Sequence, residues 1–576
     1  MTHKDSAFVL ALVAVLGVVA ALVAGPALAP AASTAPTPAP IAGPTDRPYR
    51  EGVLGHPQSI SPLTARSQAD RDLVALLFSG LVRLGPDGSV VPDLAARWTA
   101  ADDGRSYTFE LRDDARWHDG TPVTADDVAF TIHALQDPGY TGPRASSWAG
   151  VTVEVTGTRE VRFTLETPLG GFLQAATQPI APAHLLAEVP VSLLPDHPFG
   201  QQPVGSGTFE LDSLEADLAV LRPVTLLPDE LDPTPPPAGP TDSLATMRPT
   251  PRPELPRPYL DGIEFHYYDD PEALAADFRS GRLDGASGID PTVAADLAAE
   301  RGSKLLRYPG STLTAVLFNL RPGNPAFATP EVRTALLAAI DRDAIVAGAF
   351  EGAATVAELP IPPSSPWFDP TVKAAVEFDP EAAATALTKA GWKVVDGQWR
   401  IGEATEPLAV ELLSPDAESN PAAFAAAEAV ASDWSAFGLE VDHVGLPAGE
   451  FVSDRLASGT FSAAVVDVAI GLDPDLYPLL ASTQTLSGGS NVAGLQDPAL
   501  DALLVAARAP GSDEQRAAAY TALQEQLAKG RYLLPLAFAD ETAVVHTTVS
   551  GPAIRQVSDP SDRFWDVLTW RLADDR

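Results

Sequence analysis

The stretch from Phe78 to Leu135 constrains the fold of this chain more than any other feature. It begins FSGLVRLGPDGS, continues through SYTFELRDD and WHDGTP, and ends with TADDVAFTIHAL. Apolar residues alternate with polar ones at 107–111, 151–155 and 161–165, which predicts half-buried strands in an antiparallel sheet. Thr124 and Asp127 have the spacing of a capping box, and they predict the start of a helix.

A different pattern follows in the second half of the chain. The segments 408–413, 439–444 and 463–468 have the composition of strands, and apolar residues at helical spacing occupy 424–437. Strands that alternate with helices indicate an α/β lobe with a largely parallel sheet. The chain is therefore expected to contain at least two lobes of different architecture.

Charge and composition exclude several functions. The chain has 38 basic and 76 acidic residues, a net charge of −38, which argues against a nucleic-acid partner because such a surface repels phosphate. It has no cysteine, so disulfides, thiolate metal sites and a lipid-attachment cysteine are absent. HExxH, GxSxG and phosphate-loop motifs are also missing, and the histidines are scattered. We expect no enzyme activity, no cofactor and no metal.

Two segments are predicted to lie outside the folded part. Ala7 to Ala24 is an apolar run long enough to approach the thickness of a bilayer core, about 27 Å as a helix. Residues 1–25 are therefore expected to act as a signal peptide or as a retained membrane anchor, and 26–48 as a disordered Pro/Ala-rich tether. A second proline-rich stretch at 228–258 is expected to be a surface insertion, with a partner-binding role as the alternative.

Seven motifs occur in an order that matches one known family. They are GLVRLGPDGS at 80–89, WTAADDGRSYTFELRDDARWHDGTPVTADDV at 98–128, PVGSGTFEL at 203–211, PYLDGIEF at 258–265, SGRLDGA at 280–286, FNLRPG at 318–323 and VRTALLAAIDRDAIV at 332–346. The chain resembles the extracytoplasmic solute-binding proteins of the peptide, opine and nickel ABC importers, family 5. The resemblance covers roughly residues 50 to 575.

The resemblance implies an α/β, two-lobed fold like that of the type II periplasmic binding proteins, with an extra inserted α+β domain. The expected parts are a discontinuous lobe I at 49–76, 205–307 and 536–576, an inserted domain at 77–204 and lobe II at 308–535. Two lobes joined by crossing strands can close over a solute and present a changed surface to a transporter.

The implied function is capture of a small solute, a peptide or peptide-like molecule, and its delivery to the membrane subunits of an ABC importer. A monomer is expected, in an extracytoplasmic location at the cell surface or in the periplasm. A membrane-tethered sensor of the same fold is the alternative reading. An extracellular hydrolase is a third, because the abundant carboxylates allow a paired-acid site.

Candidate ligand-binding residues come from loops and from the ends of strands. The loop with His56, Gln58 and Ser59 matches a family loop that faces the cleft. Trp148 and Trp367 are interpreted as exposed aromatics that either form a stacking wall or pack locally. Asn319 either reaches the cleft or satisfies local backbone groups.

The strand at 463–468 supplies the remaining candidates, because ligands in α/β sheets sit beyond the carboxyl ends of strands. Peptide-binding members of the family place an aspartate in this segment to pair with the peptide's ammonium, and Ile470 stands at that position here. Asp467 is a possible substitute, and Asp473 follows in the same loop. Asn491 lies after a glycine pair that lets backbone approach a ligand.

Overall fold

The computed structural model describes residues 47–85, 88–101, 103–140, 142, 148, 150–224, 260–485 and 489–573. The predicted signal or anchor segment, the tether up to residue 46 and the proline-rich stretch at 228–258 lie outside these residues. Among the helices that the structure describes, none combines the length and the apolar character needed to cross a membrane.

The first part of the chain contains short strands around two longer helices. In chain order these elements are β1 (Tyr49–Leu54), α1 (Gln68–Leu77), β2 (Val82–Leu84), β3 (Val90–Pro92), β4 (Ala95–Ala100), β5 (Ser106–Leu111), α2 (Ala125–Gln136), β6 (Val151–Gly157), β7 (Glu160–Leu165), α3 (Phe172–Ala175) and α4 (Ala183–Leu186). The strands β4, β5, β7 and β6 form an antiparallel sheet in that order, as predicted. The predicted capping box at Thr124 and Asp127 is confirmed.

The middle of the chain continues with β8 (Phe209–Leu214), β9 (Leu218–Pro223), β10 (Ile263–Tyr268), α5 (Pro271–Arg279), β11 (Gly285–Ser287), α6 (Pro291–Ala298), β12 (Ser303–Phe318), α7 (Pro330–Ala338), α8 (Arg342–Gly348), β13 (Ala354–Val356), α9 (Pro380–Lys389), β14 (Trp392–Val395) and β15 (Gln398–Ile401). Aspartate or asparagine caps many of these helices ahead of a proline at the first turn, as at Asp290 and Pro291.

The last part contains β16 (Ala409–Pro415), α10 (Pro421–Ala436), β17 (Glu440–Leu446), a π-helix (Glu450–Leu456), β18 (Ala463–Ala469), α11 (Tyr477–Leu480), α12 (Pro498–Arg508), α13 (Asp513–Gly530), β19 (Leu534–His546), β20 (Val549–Ser550), a 3-10 segment (Pro560–Thr569) and β21 (Arg571–Leu572). The strand β16 pairs in parallel with both β17 and β18. The predicted alternation of strands and helices is confirmed.

One sheet of eleven strands runs through the described residues, in the order β17-β16-β18-β12-β19-β11-β1-β10-β9-β8, with β13 paired to β19. The antiparallel strands β12 and β19 stand at its centre. Their pairing is interrupted: 303–309 pairs with 540–546, and 313–316 pairs with 534–538. A Cβ on Gly310 in the interruption would come within 2.0 Å of the carbonyl oxygen of Ala539. Such an irregularity bends a pair of hydrogen-bonded strands.

The buried hydrophobic side chains form separate clusters on the two sides of this interruption. Two of the four buried hydrophobic clusters draw their members from residues up to 308 and from 543 onwards. The other two draw theirs from 313–538, on opposite sides of the strands there. Because each cluster stays on one side of the interruption in β12 and β19, the described chain has two separate cores joined by these two strands.

Candidate functional site

A cavity of about 200 Å³ lies beside the two central strands. It is lined by Gln68 at the start of α1, by Ser287 at the end of β11 and by Gly288, Ile289 and Pro291 after it, by Tyr308 on β12, by 540–542 on β19, and by Pro560 and Arg563. The strands β1, β10 and β11 are parallel, so their carboxyl ends meet at one edge of the sheet. The cavity therefore occupies the position where α/β sheets bind ligands.

Arg563 forms one side of the cavity, and its guanidinium is fully engaged by the protein. It donates to Asp72 at 2.6 and 2.7 Å, to Glu51 at 2.7 and 3.1 Å, and to the carbonyl of Pro560 at 3.0 Å. Ser287 also donates to Glu51, at 2.6 Å. Burial alone lowers the pKa of Arg563, but the charges of Asp72 and Glu51 together raise it above its usual value. The guanidinium stays charged and fixed.

Tyr308 and Glu541 face the cavity without such partners. They are direct register partners across β12 and β19, so their side chains lie on the same face of the sheet, with Cβ atoms about 5 Å apart. Tyr308 is 1% exposed, and its hydroxyl has no hydrogen-bond partner among the described residues. Burial, and next the charge of Asp559, raise the pKa of the half-buried Glu541 carboxyl. These two side chains are polar groups that a solute can satisfy.

The predicted loop at His56, Gln58 and Ser59 is held by its own lobe. Backbone N–H groups of Gln58 and Ser59 donate to Asp70 at 2.6 and 2.9 Å. The side chain of Ser59 is buried against Thr64, with 2.6 Å between the hydroxyl oxygens. The His56 ring lies 3.1 Å from an oxygen of Asp217 and stays partly exposed.

Two predicted residues lie in the hydrophobic interior instead of in exposed loops. Trp148 is 1% exposed and packs on Phe163 and Phe172, with ring centroids 5.7 and 5.8 Å apart, so the interpretation of Trp148 as an exposed aromatic is wrong. Ile470 is 6% exposed and belongs to a buried apolar cluster. An aspartate at position 470 would be an unpaired buried charge in this environment.

The structure brings Trp367 and Asp473 together through Arg516, a residue that the sequence analysis missed. Arg516 donates to both oxygens of Asp473, at 2.7 and 2.8 Å, and its guanidinium carbon lies 4.3 Å from the centre of the Trp367 ring. Both charged side chains are less than a tenth exposed. A Cβ on Gly171 would come within 2.3 Å of Asp473. This ion pair therefore packs directly against the loop that follows β7.

The other three predicted residues also contact protein groups. Exposed Asp467 accepts from Thr314 at 2.5 Å and from Asn420 at 2.7 Å, at the carboxyl end of β18. Asn319 donates to the carbonyls of Gly459 and Phe461, at 2.9 and 3.0 Å. Asn491 is 1% exposed and donates to backbone carbonyls of its own loop, at 3.0 Å. Contact between any of these residues and a solute stays a prediction.

None of the ten predicted site residues is among those that line the cavity described above. The strand-end rule that selected Asp467 would have selected Gly288 as well, because SGRLDGA precedes it directly. Tyr308 and Glu541 had no such signal, since their partnership depends on how two distant strands pair. Within the described residues, no cluster of three or more side chains of metal-ligating type is present.

Two cores, two long connecting strands and a polar cavity beside them define a two-lobed binding protein of the periplasmic type. Residues 89–490 match the sequence profile of the bacterial extracellular solute-binding proteins, family 5 (middle part). The chain belongs to this family, as its motifs indicated. Members are extracytoplasmic binding proteins of ABC importers for peptides or related ligands.

The relatives bind different solutes. Protein XP55 of Streptomyces lividans is 30% identical over 482 residues, which is 83% of this chain and 80% of that protein. The oligopeptide-binding protein AppA of Bacillus subtilis, solved with a nonapeptide, has a TM-score of 0.67 at 22% identity, over 92% of this chain and all of that one. NikZ of Campylobacter jejuni, solved with Ni(L-His), has a TM-score of 0.65 at 24% identity, over 91% of this chain and 99% of that one. The predicted two-lobed α/β fold is confirmed.

Proposed function

We propose that this protein captures a small peptide or peptide-like solute between two lobes and delivers it to the membrane subunits of an ABC importer. The observation that carries the proposal is the polar cavity at the carboxyl ends of β1 and β11, directly beside the two strands that join the two cores. The residues that line the cavity all lie on the lobe I side of the proposed hinge, so a solute there sits beside the hinge, where a change in the angle between the lobes can cover or expose it.

The lobes are proposed to follow the boundaries given above except on the two connecting strands, where the hinge is placed at the interruption, between 309 and 313 on β12 and between 538 and 540 on β19. Polar contacts also cross the proposed boundary. Thr292 donates to Glu351 through its backbone N–H at 3.0 Å and through its hydroxyl at 2.9 Å. The N–H of Gly170 donates to the carbonyl of Arg508 at 2.7 Å. These polar contacts can break when the lobes separate.

The solute class is proposed from the family and from the site. AppA binds a nonapeptide and NikZ binds Ni(L-His), so members of this fold accept both peptides and amino-acid complexes. Ile470 offers no carboxylate to a peptide ammonium at the position where peptide-binding members carry an aspartate. We therefore place recognition of the solute at the cavity beside β12 and β19, with Asp467 as an additional exposed carboxylate.

Further parts of the proposal concern the whole chain. Residues 1–25 direct export and either are cleaved or remain as an anchor, with 26–48 as the tether. The protein acts as a monomer and catalyses no reaction. The absence of cysteine supports an anchor other than a lipid-modified cysteine.

Native mass spectrometry of residues 46–576 tests the capture function. The protein is purified gently, weighed intact, then denatured so that any retained molecule is released and identified. A peptide or peptide-like molecule in a one-to-one complex with a monomer is the expected result. Where the protein emerges empty, thermal-shift measurements with peptides, opines, sugars and metal complexes follow, because a ligand that binds only the folded state raises its melting temperature. A flat profile over that whole set contradicts the proposal.

A further inference from the structure

Carboxylates outnumber cationic side chains around the cavity. Arg563 contributes one positive charge, which Glu51 and Asp72 already outweigh. Asp540 pairs with Arg307, with a nitrogen–oxygen distance of 2.7 Å. Among the described residues that line the cavity, no cation is therefore free to receive an anionic group of a solute.

Glu541 is the carboxylate that remains. Among the described residues, no hydrogen bond or ion pair to its side chain is present within 4.0 Å, although Asp540, Asp559, Arg563 and Arg71 are close enough to affect its pKa. Arg71 is already paired with Asp559, at 2.8 Å. The two arginines nearest to Glu541 are thus both engaged by other carboxylates.

Tyr308 supplies the second independent observation. Its hydroxyl is buried, faces no protein partner and belongs to the residue directly opposite Glu541. A buried hydroxyl without a partner destabilises a fold, because the group has lost its hydrogen bonds to water. Such a group is rare in folded proteins and calls for a function.

Resting on the proposed function, we propose that the solute carries a cationic group, an ammonium or a guanidinium, that binds the Glu541 carboxylate and is hydrogen-bonded by Tyr308 through its hydroxyl oxygen. Both side chains lie on one face of the central strand pair, so a single cationic group can contact them together. The solute class is therefore basic peptides or peptide-like amines, recognised beside the hinge.

The test uses the full-length chain and its Glu541→Gln and Tyr308→Phe variants. Affinity is measured by calorimetry against short N-acetylated peptides, in which only a side chain can carry a positive charge, in matched pairs of lysine against norleucine and arginine against citrulline, together with N-acetylated acidic peptides. The matched control is Glu215→Gln, which removes the same charge from the exposed turn between β8 and β9. We expect binding of the lysine and arginine members only, a loss of about 10- to 100-fold in Glu541→Gln, and unchanged affinity in the control.

Tyr308→Phe keeps the test decisive if Glu541→Gln fails to fold. Because the hydroxyl has no partner among the described residues, its removal should leave the melting temperature of the empty protein equal or higher while affinity falls several-fold. Equal binding of neutral and cationic members, or full affinity in both variants, overturns this inference but leaves solute capture intact. Failure of every peptide, with no retained molecule in the native protein, overturns the proposed function as well.

Discussion

Asp467, near the end of β18, and Asp473, in the loop that follows, are expected to differ sharply when each is replaced by alanine. Asp473→Ala removes the partner of Arg516, whereas Asp467→Ala removes an exposed acceptor of two neutral donors. We predict that Asp473 is needed for the stability of the fold and that Asp467 is available for a ligand.

The magnitude follows from burial. The side chains of Arg516 and Asp473 are 9% and 6% exposed, and breaking such a pair from one side destabilises a protein by about 3–5 kcal/mol, since it leaves a buried charge unpaired. Tyr520 also loses its 3.1 Å bond to this carboxylate, a contribution of about 1 kcal/mol. For exposed Asp467 the loss should stay below about 1 kcal/mol.

Urea unfolding followed by tryptophan fluorescence measures both variants, and Trp367 is a local reporter because it lies against Arg516. The double variant Arg516→Met with Asp473→Leu is the control, since removal of both buried charges should recover most of the lost stability. A midpoint for Asp473→Ala within error of that for Asp467→Ala would refute the reasoning. So would a double variant that is less stable than Asp473→Ala.

Three further outcomes are expected. Gly310→Ala should keep both cores folded but reduce solute-induced closure, measured by small-angle scattering with and without solute, because its Cβ would meet the carbonyl of Ala539 at 2.0 Å. Gly288→Ala should abolish the ligand-induced thermal shift with a modest loss of stability, because φ is +66° there and the new methyl group would come within 2.7 Å of the Gln68 side chain, which also lines the cavity. Burial alone would raise the pKa of Asp284, but hydrogen bonds from Arg47 and then Arg50 hold this pKa below its usual value. The ionised carboxylate therefore stabilises the folded state above pH ~4, and this stabilisation is lost as the pH falls further. The stability difference between the wild type and Asp284→Asn should therefore narrow between pH 5 and pH 2 in acid titrations, and a constant difference would contradict it.

Local patterns predicted the elements of the fold well. The strand expected at 463–468 is observed at Ala463–Ala469, and the helix start expected at Thr124 is observed, with α2 beginning at Ala125. These features depend on periodicity and on capping chemistry, and both are determined by residues close together in the sequence. The sequence analysis therefore succeeded where the interactions that decide a structure are local.

The residues of the candidate site depended on distant contacts. Tyr308 meets Glu541, and Asp473 meets Arg516, only because strands and helices far apart in the chain pack together. The interpretation of Trp148 as exposed failed for the same reason. Its neighbours in the sequence are polar, but Phe163 and Phe172 pack against it in the fold. Tertiary packing overrides local composition at such positions.

The sign of the charge that the cavity favours depends on Arg563. A free guanidinium in this position would favour a carboxylate or a phosphate, and the cavity would then suit anionic solutes. Asp72 and Glu51 occupy its donors instead, and both carboxylates are almost fully buried, so a solute cannot displace them without exposing unpaired charge. The net negative charge of this triad adds to that of Glu541. The proposed selectivity for a cation therefore depends on side chains behind the wall of the cavity as much as on those that line it.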